Sequence, residues 1–124
     1  MASKFALLNA LYDQFGAFVK ELTEMYPDDV DFAAFSVTLK MLRSTNPSLL
    51  AKYIIENTSE YEGEILSKNE GFFLNHSFEQ YDGVDISIFS KLKTYVSNMN
   101  SDSKENVWKY IQNIYRLAKV IHSS

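Results

Sequence analysis

The amino-acid sequence predicts an all-α fold: a single-domain antiparallel bundle of five to six helices with one ordered aromatic loop at about residues 68–84. Three observations carry this. Apolar side chains recur at steps of three and four along most of the chain, not at steps of two. Gly (4) and Pro (2) are scarce, which argues against the many tight turns of a β-sandwich. The 124 residues, 46% of them hydrophobic, suffice for one core and are too few for two ordinary domains.

The first helix is read from Ser3 to Tyr26. Phe5, Leu8, Leu11 with Tyr12, Phe15, Phe18 with Val19, Leu22 and Met25 fall on one stripe, Ser3 is placed to cap it, and Pro27 stops it. Asp28-Asp29 offers caps and negative charge for a second start. Phe32, Phe35 (with Ala33 and Ala34), Leu39 and Leu42 carry that helix to about Ser44. Asn46-Pro47 reads as N-cap and first-turn proline of a third helix, with Leu49, Leu50, Tyr53, Ile54 and Ile55 on its buried side. Asn57-Thr58-Ser59 is rich in cap formers, so Tyr61, Ile65 and Leu66 are expected in a separate short element.

The stretch from Lys68 to Val84 differs. Gly71 and Gly83, with Asn69, Asn75, Ser77 and Asp82, enclose Phe72-Phe73-Leu74 and Phe78, which are too apolar to stand in water. An ordered loop pinned by its aromatics follows. As the longest irregular stretch, it is the favoured place for function. Asp85 starts a fifth helix carrying Ile88, Phe89, Leu92, Tyr95, Val96 and Met99. Asp102 with Glu105 mimics a capping box for a last helix from about Ser103 to His122. There Trp108, Ile111, Ile114 with Tyr115, Ala118 and Ile121 face one way; Lys109, Gln112, Asn113, Arg116 and Lys119 face another.

Composition also bounds function. Cys is absent, which removes disulfides, thiolate metal sites and a cysteine nucleophile. The apolar run at the N-terminus is interrupted by Asn9, Asp13 and Gln14 before a signal sequence is complete, and no stretch is apolar for long enough to span a bilayer. A soluble, intracellular protein is expected, in the host cytoplasm or a virion if it is viral. Residues 1–85 hold 14 acids and 6 bases, residues 86–124 only 2 acids and 6 bases. An acidic middle and a basic end can meet within one molecule, between copies, or engage separate partners. Lys91, Lys93, Lys109, Arg116 and Lys119 are the candidate phosphate contacts of a nucleic-acid alternative. Most of these bases are Lys, and the net charge is −4. Glu60, Glu62 and Glu64 do not share one helical face, and no EF-hand register is present. His76 and His122 have no partner at helical spacing. No catalytic residue, cofactor site or metal site is assigned.

The last helix carries apolar or aromatic residues on more than one face, Tyr110 and Leu117 among them. Either it sits centrally or part of it covers a second chain. The expectation is a non-enzymatic interaction module, self-associating as a homodimer through its terminal helices. Its partner surface would join Phe72, Phe73 and Phe78 of the loop to Trp108, Tyr110, Tyr115 and Leu117.

The stretches Asn46-Pro47-Ser48-Leu49-Leu50, Glu70-Gly71-Phe72-Phe73-Leu74-Asn75 and Lys104-Glu105-Asn106-Val107-Trp108-Lys109-Tyr110-Ile111-Gln112 resemble a group of short helical proteins of large double-stranded DNA viruses that have no assigned activity. The resemblance implies a viral, intracellular, helical protein. It transfers no site residue, and it modestly favours a partner surface that includes the aromatic loop and the start of the last helix.

Overall fold

The computed structural model describes residues 3–69, 91–92 and 95–123, and among them there are helices and no strand. Most of the aromatic loop expected at 68–84 lies outside the described residues, with Phe72, Phe73 and Phe78; so do the start of the fifth helix and Lys93.

Helix α1 spans Lys4–Met25, and the Ser3 hydroxyl caps it by accepting the Ala6 N–H at 3.1 Å. Its stripe buries Leu11, Tyr12, Phe15, Phe18, Val19 and Leu22. Phe5 departs from the expectation. It sits in the first turn, ahead of Leu7 and Leu8, where packing against the core begins, and it is exposed. Helix α2 covers Val30–Thr45, and the Asp29 carboxylate caps it by accepting the Asp31 N–H at 3.0 Å. Contacts at both ends set α2 antiparallel to α1. The Tyr26 and Phe32 rings lie 6.0 Å apart at one end. At the other, Arg43 donates to Asp13 at 3.0 Å and to Asn9 at 2.9 Å.

A single residue, Asn46, separates α2 from α3 (Pro47–Thr58). Its N–H closes α2 on the Leu42 carbonyl at 2.8 Å, and its own carbonyl accepts the Leu49 N–H at 3.1 Å. The expected side-chain cap is absent: Asn46 serves both helices through its backbone. As the cap-rich sequence implied, α3 gives way to a 3₁₀ turn (Ser59–Tyr61) and a separate short helix, α4 (Glu62–Leu66). Lys68 ends α4 in the left-handed region at φ 59°, while the next N–H, of Asn69, bonds back to the Glu64 carbonyl at 2.8 Å.

Lys91, Leu92 and Tyr95 are helical and lead into a 3₁₀ turn at Val96–Asn98. The last helix, α5, runs Ser101–Ser123. Asn100 accepts the Ser103 N–H at 2.8 Å, so the cap falls two residues before the expected Asp102. Asp102 instead lies in the first turn, where a carboxylate suits the helix dipole. Helix α5 packs on α1 along one side and on α3 and α4 along another. This central position explains its many-sided apolar pattern: Val107, Trp108, Ile111, Ile114, Tyr115, Ala118 and Ile121 are all buried. Gln112 extends the contact to α4, donating to the Ile65 and Leu66 carbonyls at 3.2 Å each. Helix α2 lies apart from this axis, against α1 and, less extensively, α3.

Candidate interaction surface

Of the aromatic residues expected to face a partner, those on α5 are taken up by the chain's own core. Trp108 and Tyr115 are each 3% exposed. Tyr110 is half-buried and stacks on Phe18, with ring centroids 5.1 Å apart and planes inclined by 20°. Burial pushes its hydroxyl pKa up, and the neighbouring Glu21 adds to that. Leu117 is half-buried against the same core. The apolar surplus that motivated a homodimer through the terminal helices is therefore accounted for by α1 and α3. Trp108 and Tyr115 in particular are core residues, not surface anchors.

The expected phosphate contacts are also drawn inward. Lys91 bridges the carboxylates of Asp31 at 2.8 Å and Asp29 at 3.1 Å. Both raise its pKa, Asp31 the more strongly. Lys119 lies 2.7 Å from Glu62, whose carboxyl it holds below the usual range. Lys68 pairs with Glu105 and lowers that carboxyl in the same way. Of the five bases singled out in the sequence, Lys109, Arg116 and the paired Lys119 are exposed, while Lys93 lies outside the described residues. The Glu62–Lys119 pair joins the acidic middle to the basic C-terminal part within one chain.

A cavity of about 450 Å³ opens at the α1–α2 corner between Tyr26, Asp28, Asp29, Val30, Asp31, Lys91 and Tyr95. Asp29 organises it. Its carboxylate accepts the Tyr95 hydroxyl and the Asp31 N–H and faces the Lys91 ammonium. The Tyr95 bond is the leading cause of its lowered pKa, and Tyr95 is raised in return. The Tyr26 and Tyr95 rings stack at 4.0 Å, with Phe32 5.9 Å from Tyr95. These bonds tie Lys91 and Tyr95 to the start of α2. A second crevice, about 370 Å³, is lined by Lys4, Asn46, Ser48, Lys52 and His122 on three helices. Its polar side chains are exposed. Among the described residues no three of His, Cys, Asp and Glu are grouped to hold a metal ion.

The outer face of α2 remains. Val30 is 77% exposed, Val37 68% and Met41 49%, and Ala33 and Ala34 are open beside them. Val30, Ala34, Val37 and Met41 follow a 4-3-4 spacing, which aligns them along the side of α2 opposite Phe32, Phe35, Leu39 and Leu42. Sequence reasoning assigned α2 a single stripe and missed this second one. The signal was present as a second apolar series on the same helix.

Comparison with family models, with curated proteins and with solved structures returns no match. The resemblance to short viral proteins rests on the sequence landmarks alone. Among the described residues, no helix is long and apolar enough to cross a membrane.

Proposed function

We propose that this chain, a single-domain antiparallel helical bundle, is a non-enzymatic protein-interaction module acting inside the cell. Its contact surface is the outer face of α2. The observation that carries this is the exposed series Val30, Ala34, Val37, Met41. Steps of four, three and four are the spacing by which one helix inserts its side chains between those of another. A packed helix ordinarily keeps one apolar stripe and a polar outside, whereas α2 carries an apolar stripe on both sides. The occupant is an amphipathic helix, a recurrent way for a short apolar groove or stripe to be covered. Ala33 and Ala34 leave room for a close approach of backbones.

The reading keeps the expected class of function and moves its surface from the last helix to α2. A role as a viral accessory or virion-associated protein is compatible with it and adds no residue to the surface. Nucleic-acid binding has less to stand on, since Lys91 and Lys119 already face carboxylates of their own chain.

The test is a photo-crosslinking amino acid placed at Val37, with a control at Lys20 on the exposed side of α1, in extracts of the native source. The expected result is a discrete protein adduct from position 37, none from position 20, and loss of the adduct on Val30→Glu. Equal labelling from both positions, or none from position 37, overturns the reading.

A further inference from the structure

The spacing and charge of α2 also say what chemistry its occupant has. Two copies of the stripe related by a twofold axis and running antiparallel pair Val30 with Met41 of the other copy and Ala34 with Val37. Both pairs share one centre, between residues 35 and 36, so a single register satisfies all four layers. Each layer then matches a smaller side chain with a larger one. A parallel pairing instead sets Ala34 against Ala34, which leaves a hole, and Met41 against Met41, which crowds.

Charge points the same way. The start of α2 is acidic at Asp28, Asp29 and Asp31, with Lys91 offsetting part of that charge. Its other end carries Lys40, while Arg43 there is already paired with Asp13 of α1 at 3.0 Å. A parallel pair brings the two acidic starts side by side, whereas an antiparallel pair sets each beside the other copy's basic end and opposes the helix dipoles. Among the described residues, helix α2 packs on α1 and α3 with Lys91 and Tyr95 at its start, and Val30, Val37 and Met41 stay exposed.

We infer that the occupant of the α2 face is a second copy of this chain, packed antiparallel with Val30 against Met41 and Ala34 against Val37. The inference rests on the α2 face being the docking surface. Four layers make a small interface, at the weak end of specific association, with a dissociation constant on the order of 100 μM.

The absence of Cys makes the register directly testable. Full-length Val30→Cys and Met41→Cys proteins are mixed under mild oxidation, and each is also oxidised alone. The mixed disulfide between positions 30 and 41 is expected to dominate. A 30–30 disulfide is not, because the antiparallel register separates those positions by about 16 Å along the helix, beyond disulfide reach. Sedimentation of the unmodified protein from about 10 μM to about 1 mM should show a monomer–dimer equilibrium. Val37→Glu should weaken it at least tenfold with helical circular dichroism unchanged. A dominant 30–30 disulfide overturns the antiparallel pairing, and a monomer at every concentration overturns self-association. In that last case a Val37 crosslink to a different protein still supports the docking role of α2, so the two readings fail separately.

Discussion

Helix α5 and helix α2 both carry apolar residues on more than one side, and the structure treats them in opposite ways. α5 holds Trp108, Tyr110 and Tyr115 along with a run of Ile and Val, the residues that most often anchor interfaces. Lying between α1 and the α3–α4 side, it buries most of them, with Tyr110 half-buried and Val120 exposed. α2 has only Val, Ala and Met on its second stripe, yet that stripe stays in water, since among the described residues α2 packs through its other face. Position in the bundle, more than hydrophobicity, decides which apolar residues a partner can reach. A central helix buries its apolar stripe, and an edge helix can leave a second one in water.

The contrast is broken most severely at Trp108. Trp108→Ala should destabilise the fold by roughly 3–5 kcal/mol in urea unfolding, because the cavity lies at the α5 contact with its neighbours. Val37→Asn on the α2 face should stay within about 0.5 kcal/mol. Comparable losses at the two sites would mean that α2 is covered within its own chain.

A smaller effect is expected at Asp29, which caps α2 and holds Tyr95 and Lys91. Asp29→Asn should cost roughly 1 kcal/mol at neutral pH, and its signature lies in the pH profile. The Asp29 carboxyl is lowered, chiefly by the Tyr95 hydroxyl. Its contribution is therefore present above the ordinary carboxylate value of about 3.9 and fades as pH falls through the folded value. Lys91 and Tyr95 are raised. Their contributions are full below their ordinary values, about 10.4 and 10, and fade as pH rises through the folded ones. Thermal unfolding should show the variant with a flatter acid limb than the unmodified protein.

The smallest effect is expected at Lys119. Its pair with Glu62 is about half open to solvent on both sides, so Lys119→Ala should leave the melting midpoint unchanged within error. A clear drop would show that the pair helps to seat α4 on α5.

Helix starts were legible in the sequence because capping is local chemistry. Ser3, Asp29 and Pro47 stand where the structure uses them, and Pro27 follows directly on the end of α1 and its C-cap, Tyr26. Local chemistry also explains the miss at the start of α5. Asn100 and Asp102 are both good caps, and α5 begins at the first of them to follow the Val96–Asn98 turn. The candidate surface was not legible, because exposure depends on how many helices surround a given one. The stripes of α2 at Phe32-Phe35-Leu39-Leu42 and Val30-Ala34-Val37-Met41 look alike until α1 is seen covering the first. The same indeterminacy made Trp108 and Tyr115 look available when the core encloses them.

The α2–α3 elbow has a mechanical consequence. With Asn46 alone between the helices, its N–H and carbonyl each engaged by one of them, α2 has no slack hinge at that end. Its far end is clamped through Asp29, and Arg43 locks its last turns to α1. The stripe is thus presented as a stiff, preorganised ridge, so a guest surrenders little host entropy on arrival and even a short contact can hold one defined register.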